Sequence, residues 1–162
     1  MEWKKETNIW VLKFRDGEDL LESLADLARG ERLTSGFVVS AVGMLRDVEL
    51  GYFSGEGYVK KQLQGPFELL GMQGNISRLK EDPWVHVHCM LADSELGTVG
   101  GHLFRAAVNV ACEMCIIKTT NIELSRMKNQ DTGLYDLVLK DVSGTTNLRT
   151  MRGTGSFDLE ID

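Results

Sequence analysis

Hydrophobic residues recur at helical spacing most clearly in one segment of the chain, between Asp16 and Gly30. The apolar positions of this segment lie three or four residues apart and would share one face of a helix. They are Leu20, Leu21, Leu24, Leu27 and Ala28. Asp16 is the predicted N-cap, because its carboxylate can accept hydrogen bonds from the first turn, and Gly30 is typical of a helix end. The pattern therefore predicts one helix packed on a sheet.

The other apolar runs are short and typical of strands. The predicted strands are residues 8–14, 36–43, 48–53, 58–64, 67–71 with a second segment near 76, 84–91, 106–118, 134–139 and 156–161. A helical turn could open the run at residue 106, and the polar stretch 121–133 has no clear pattern. One helix and many strands predict an α+β fold built on a mixed or antiparallel sheet, with residues 1–162 as a single domain.

Composition is ordinary for a globular protein, with 43% hydrophobic and 26% charged residues among 162. No apolar run is long enough to cross a bilayer, and the polar residues 1–6 lack the core of a signal peptide. A cytoplasmic protein without membrane contact is therefore expected. The odd cysteine count fits a reducing compartment, and Cys89, Cys112 and Cys115 are predicted to be inert buried thiols.

The net charge of −6 changes the expected partners. Proteins that bind DNA through its phosphates usually present a basic face, and the nearest thing to a basic run here is the pair Lys60 and Lys61. The charge therefore disfavours DNA as a partner.

The three histidines of the chain point to a metal site. His86 and His88 alternate on a predicted strand and would project from one face, ~6–7 Å apart. His102 would reach the same face if the following hairpin has a loop with an odd number of residues, or if a bulge at Gly100 and Gly101 turns it. Three imidazoles leave a fourth position for water or substrate, and nitrogen ligands suit Zn²⁺, although Ni²⁺, Co²⁺ or Fe²⁺ also fit. The alternative is ordinary strand histidines on a half-exposed face.

Glu113 is an acid inside an apolar run, so we expect it to be buried with a partner. One interpretation is an acceptor for the far nitrogen of a ligand imidazole, or a general base. The alternative is an ion pair with Arg105 or a contact between subunits. Glu113 and Arg105 are the candidate catalytic residues, while Asp93 is predicted to shape the turn after the histidine strand.

Four spaced motifs resemble the plants and prokaryotes conserved (PPC) domain family. They are Gly-Phe-Val-Val-Ser-Ala-Val-Gly at 36–43, Gly-Pro-Phe-Glu-Leu-Leu at 65–70 followed by Gly-Asn-Ile-Ser at 74–77, His-Val-His at 86–88 and Val-Gly-Gly-His-Leu at 99–103. Pro66 replaces the arginine of the plant-type motif, and the Arg-Gly-Arg-Pro AT-hook of plant members is absent from the sequence. Plant members also generally lack a histidine at the position of His102. The chain thus resembles the stand-alone, metal-binding prokaryotic type.

The resemblance implies an α+β fold similar to that of acetolactate decarboxylase, a homotrimer, and membership of a family labelled as predicted DNA-binding proteins. Residues 67–72 are apolar enough to form a subunit contact. Two functions fit these expectations. The first is a binding or regulatory module with a three-histidine zinc site. The second is a lyase-like metal enzyme acting on a small anionic metabolite, which rests on a fold-level analogy with acetolactate decarboxylase. A pocket lined by Arg or Glu would favour the enzyme, and a metal closed off inside the trimer would favour the module.

Overall fold

The computed structural model describes residues 1–142 of the chain. Its elements are β1 Glu2–Glu6, β2 Ile9–Arg15, α1 Leu20–Gly30, β3 Gly36–Phe53, β4 Tyr58–Leu63, β5 Phe67–Leu79, β6 Asp82–Ala92, β7 Thr98–Lys118, β8 Ile122–Lys128 and β9 Tyr135–Asp141. The strand predicted at 156–161 lies outside the described residues.

The described strands form one mixed sheet in the order β1-β2-β7-β3-β5-β8-β9, with β4 paired to β3. β6 pairs with both β5 and β7, so that β3, β5, β6 and β7 make a closed ring of pairings. All pairings are antiparallel except a single parallel contact between β5 and β8, at Arg78 and Ser125. The predicted α+β class with a mixed sheet and one main helix is confirmed.

Alternation along the strands separates a buried face of the sheet from an outer face. In β2, Trp10, Leu12 and Phe14 are buried, whereas the alternate residues Ile9 and Val11 are exposed. The buried face joins α1 in one core, because the apolar stripe of the helix packs into the same cluster. Side chains of the outer face, to which Ile9 and Val11 belong, are free to form a site.

The helix begins later than predicted. Asp19 is the N-cap, and its side chain accepts from the backbone N–H of Glu22 at 3.0 Å. Asp16 instead accepts from the backbone N–H of Val110 at 2.9 Å and from Arg46 at 2.6 Å, and this contact with Arg46 holds the pKa of the Asp16 carboxyl below its usual value. The prediction of Asp16 as N-cap is wrong, since either acid satisfies the sequence rule and Gly17, with φ 85°, turns the chain before the helix starts.

Three strands are longer than their sequence patterns indicate, and β5 is one of them, since it joins the predicted segments 67–71 and near 76. β3 spans both predicted segments, 36–43 and 48–53, and shifts register several times along β7. Gly43 allows one of these shifts, because its φ is 139° and a Cβ there would lie 2.3 Å from the carbonyl oxygen of Ala111. β7 is extended from Thr98 onward, so the helical turn expected at residue 106 is wrong.

Within residues 1–142, no helix has the length and apolar character needed to cross a bilayer, and α1 has only 11 residues.

Candidate functional site

The three histidines meet on the outer face of the sheet. His86 and His88 alternate on β6, and His102 on β7 pairs directly with His88. The loop joining the two strands, residues 93–97, has the odd length that this pairing requires, since the last pair before it is Ala92 with Thr98. The imidazole centroids lie 4.9–5.3 Å apart, and one nitrogen of each ring lies within 4.8 Å of the others.

The hairpin that aligns these strands is fixed by local chemistry. Asp93 Oδ1 accepts from the backbone N–H groups of Glu95 and Gly97, both at 2.9 Å, as predicted for a turn-forming residue. Gly100 and Gly101 allow close approach of neighbouring strands, because a Cβ on either would lie within 3.0 Å of a backbone carbonyl oxygen. No register shift occurs between β6 and β7, so close approach and not a bulge explains the two glycines.

The surroundings favour uncharged imidazoles. Burial lowers the pKa of His86 to about 4, with contributions from Arg126 and His88. Burial also lowers the pKa of His102 to about 4, helped by the other two histidines, Lys60 and Arg126. Both rings are therefore neutral near pH 7, the form that offers a lone pair to a metal.

The donor set fits a divalent transition metal. Three imidazoles on one face can supply three nitrogen ligands, and the exposed position of His88 leaves one side open to solvent. A metal with three protein ligands keeps a position for water or another ligand. Two polar groups touch the rings: the Tyr58 hydroxyl lies 3.5 Å from His102 Nδ1, and Arg126 Nη2 lies 3.2 Å from His86 Nδ1.

Arg126 is a site residue that the sequence did not reveal. It lies on β8, inside the stretch 121–133 that had no clear pattern. Alternation of Ile122 and Leu124 is the only local signal of a strand there, and nothing in it indicates that the strand meets the histidines.

A cavity of about 390 Å³ opens beside His86 and His102. It is lined mainly by aromatic and aliphatic side chains, with Arg126 and Asp136 as charged members of its wall. Its lining residues are Tyr58, Trp84, His86, His102, Phe104, Arg126, Gly133, Leu134, Tyr135, Asp136 and Leu137. The histidine group thus lies at the side of an apolar pocket.

The other candidate residues do not join the site. Glu113 is exposed on β7 of the single chain, opposite Lys13 of β2 and Val42 of β3, so the prediction that it is buried beside a histidine is wrong, while its role in a contact between subunits stays a prediction. Arg105 lies near Asp19 at 3.9 Å and is largely exposed, and the predicted ion pair with Glu113 is also wrong. The long apolar run hid the alternation that turns Glu113 to the outer face.

The cysteines behave as structural residues. Cys89 and Cys112 are buried free thiols, and Cys115 is partly buried. Burial raises the pKa of Cys89 to about 11 and that of Cys112 to about 12, which keeps both protonated and unreactive.

Comparison with known sequences identifies related proteins. A family model described as the Plants and Prokaryotes Conserved (PCC) domain matches residues 1–120. The chain is 30% identical over 139 residues to a protein named Bifunctional protein GlmU of Synechococcus sp. (strain JA-2-3B'a(2-13)), a match that covers 84% of the chain and 21% of that protein. A protein of the same name from strain JA-3-3Ab is 29% identical over 150 residues, covering 91% of the chain and 23% of that protein. The chain spans about a fifth of the length of these curated relatives.

Solved structures share the fold. A metal-containing protein of Archaeoglobus fulgidus is 29% identical with a TM-score of 0.74, covering 85% of this chain and 96% of that one. A plant- and prokaryote-conserved (PPC) protein of Pyrococcus horikoshii is 24% identical with a TM-score of 0.71, covering 83% and 93%. A Bacteroides thetaiotaomicron protein named a "putative dna binding protein" is 24% identical with a TM-score of 0.78, covering 85% and 96%.

Proposed function

The chain belongs to the plants and prokaryotes conserved domain family, and from that premise we propose that it is a homotrimeric metal-binding module that holds zinc through His86, His88 and His102. The observation that carries the proposal is the convergence of the three imidazoles, each with a nitrogen within 4.8 Å of the others. The similar protein of Archaeoglobus fulgidus is described as metal-containing, which supports the same assignment here.

The chemistry of the donor set supports zinc. Neutral imidazole nitrogens are good ligands for Zn²⁺, and two of the three rings have pKa values of about 4. A bound zinc would supply a positively charged, Lewis-acidic centre with a position open to a small ligand. Two features of the protein orient the rings. The Tyr58 hydroxyl lies beside the ring of His102, and the pairing of β6 with β7 sets His88 directly opposite His102.

Removal of one ligand tests the proposal. We expect wild-type protein from zinc-supplemented cells to contain one zinc per chain by elemental analysis. His102→Ala should lower zinc affinity by more than about 100-fold, since even the loss of a residue that merely supports a ligand costs roughly 10–100-fold. Competition with a coloured chelator measures this affinity.

Glu113→Gln is the matched control, because Glu113 is exposed on the same strand and lies outside the histidine group. Its zinc affinity should equal that of the wild type, and circular dichroism should show both variants folded. Metal-free wild-type protein from zinc-replete cells, or full zinc affinity in His102→Ala, would refute the proposal.

A homotrimer is supported by an exposed apolar surface on the outer face. Directly paired residues point the same way, so β2, β7 and β3 together present one patch. We call this the apolar patch, and its members are Ile9, Val11, Phe37, Val39, Val42 and Ile117, each at least 36% exposed. The segment 67–72 is a poorer contact than the sequence suggested, since Leu69 and Met72 are buried in the core.

DNA is not part of the proposed function. The Bacteroides thetaiotaomicron protein carries a DNA-binding name, but its 24% identity establishes the fold alone. The net charge of −6 opposes phosphate contacts, which dominate the affinity of most DNA-binding proteins.

A metal-dependent enzyme acting on a small anionic molecule is the second candidate function. The observation that favours it is the cavity beside His86 and His102, with the guanidinium of Arg126 in its wall. A small molecule could not reach a metal that is buried away from any pocket, whereas this cavity leads to the histidines. Turnover of a small anion by the zinc-loaded protein, abolished in His102→Ala, would establish this function over that of a binding module.

A further inference from the structure

Arg126 is held in place by neutral acceptors. Its Nε donates to Ser77 Oγ at 3.0 Å, its Nη1 to the Tyr135 carbonyl oxygen at 3.0 Å, and its Nη2 to Asn75 Oδ1 at 2.6 Å. Within residues 1–142, no carboxylate lies at ion-pair distance from this guanidinium. A rigid, partly buried cation without a direct counter-charge is a ready binding group for an anion.

The nearest acid does not neutralise Arg126 directly. Asp136 also lines the cavity, and its charge acts to raise the pKa of Arg126 while burial lowers that pKa overall. One oxygen of Asp136 accepts from Asn129 Nδ2 at 2.7 Å, which ties this carboxylate to the β8–β9 turn. The guanidinium therefore keeps its donors for the neutral partners and for a ligand.

The cavity beside Arg126 has largely aromatic walls. The rings of Tyr58, Trp84, Phe104 and Tyr135 line it, and its volume is about 390 Å³. Aromatic walls that include one arginine favour a ligand that has a planar apolar part and a single negative charge. A carboxylate matches the planar fork of the guanidinium and needs only one cation.

Metal binding would release a donor of Arg126 toward this cavity. Arginine can only donate hydrogen bonds, so at the contact of 3.2 Å the acceptor is His86 Nδ1. If a metal binds Nε2 of His86, the neutral ring carries its proton on Nδ1. If a metal binds Nδ1, the lone pair of that atom is taken. In both cases, an N–H of Arg126 loses its acceptor.

We propose that the cavity binds a flat, apolar monocarboxylate, with the carboxylate replacing His86 as the acceptor for Arg126 when the metal is bound. The inference rests on the proposed metal site. Arg126 and Tyr135 lie on β8 and β9, beyond the residues 1–120 that the family model matches, so the family match does not assign this binding site.

Calorimetry with a matched pair of probes tests the proposal. Zinc-loaded protein is titrated with 2-naphthoate and with its neutral amide, 2-naphthamide. We expect tighter binding of the carboxylate. Arg126→Gln should lower the affinity for 2-naphthoate about 10–100-fold, the usual value of hydrogen bonds to a charged group, and leave that for 2-naphthamide unchanged. Arg29→Gln, at a half-exposed arginine on α1, is the control and should bind both probes like the wild type.

Further outcomes separate the two proposals. Removal of zinc should reduce the preference for 2-naphthoate over the amide, although a carboxylate in the open position of the zinc would have the same effect. Arg126→Lys therefore repeats the test if Arg126→Gln does not fold, because lysine keeps the charge but lacks the planar fork, and it should also lower the preference for 2-naphthoate. No binding of 2-naphthoate at millimolar concentration, equal affinity for both probes, or an undiminished preference in Arg126→Gln would overturn the anion site. Failure to bind zinc would overturn the proposed function and, with it, the release of Arg126 from His86, whereas zinc binding together with any of these three results would overturn the anion site alone.

Discussion

The hydroxyl of Tyr58 is the polar group nearest to His102 on the side of Nδ1. Its oxygen lies 3.5 Å from that nitrogen, and the two ring centroids lie 5.1 Å apart. If His102 binds a metal through Nε2, its Nδ1 carries a proton, and this N–H can donate a hydrogen bond to the phenol oxygen. Such a partner fixes the tautomer and the orientation of a ligand ring.

We therefore expect Tyr58→Phe to lower zinc affinity by roughly tenfold, the lower end of the range for residues that support a ligand. The aromatic ring and its packing remain, so the change removes only the hydroxyl. Tyr52→Phe is the control, because Tyr52 is 74% exposed and lies outside the cavity lining. Chelator competition measures both variants, and equal zinc affinity in Tyr58→Phe and wild type would contradict the prediction.

Residue-level prediction from the sequence succeeded where the relevant geometry is local. Alternation alone placed His86 and His88 on one face, whereas His102 was expected there only if the loop was odd or a bulge turned it, and the structure has the odd loop. Arg126 could not be predicted, because β8 reaches the site through a single parallel contact with β5, and such a long-range pairing leaves no local pattern. Glu113 was assigned wrongly, because polarity within an apolar run does not distinguish a buried acid from an outward-facing one.

At the scale of elements, the position of β6 depends on how closely β5 can approach it. Gly74 of β5 pairs with Val87, and a Cβ on Gly74 would lie 1.9 Å from the carbonyl oxygen of His86. Because that oxygen belongs to the backbone, the strand that carries two of the histidines would have to move. A glycine is therefore required at this position.

Gly74→Ala should destabilise the protein by about 1–3 kcal/mol, as is usual for overpacking, and should also weaken zinc binding because β6 is displaced. Gly71→Ala is the matched control on the same strand, since its Cβ would meet nothing closer than Gln73 Nε2 at 3.8 Å. Urea unfolding of the two variants measures stability, and chelator competition measures zinc affinity. A Gly74→Ala protein as stable as Gly71→Ala would show that the strands can separate without cost.

The existence of most strands followed from the sequence, whereas their ends did not. β3 continues through residues 44–47 because its neighbours accept register shifts, which depend on the partner strands and not on the segment itself. β1 was missed because all of its residues except Trp3 are charged, and its pairing with β2 is what makes it a strand. An edge strand of charged residues carries little apolar pattern of its own.

At the scale of the whole molecule, the apolar patch and the histidine site lie on the same outer face. Direct pairing connects the row Ile9, Ile117, Phe37, Asn75 and His86 across five strands. Residues in such a row point to one side of a sheet. A subunit contact over the apolar patch would therefore bring another copy of the chain close to the metal site.

A charge within the apolar patch tests the proposed assembly. Ile9 is 45% exposed in the single chain, and its direct partners across the sheet are Glu6 and Ile117, so Ile9→Asp should leave the fold intact but place a carboxylate without a cation opposite it in the contact between copies. Val59→Asp is the control, since Val59 is 64% exposed on β4, outside the patch. Light scattering at micromolar concentration should give three times the chain mass of 18.1 kDa for the wild type and Val59→Asp, and a lower mass for Ile9→Asp. A wild-type mass of one chain would rule out the homotrimer, and a trimeric Ile9→Asp protein would move the contact to another surface, because a buried, unpaired carboxylate is too costly for the trimer to tolerate.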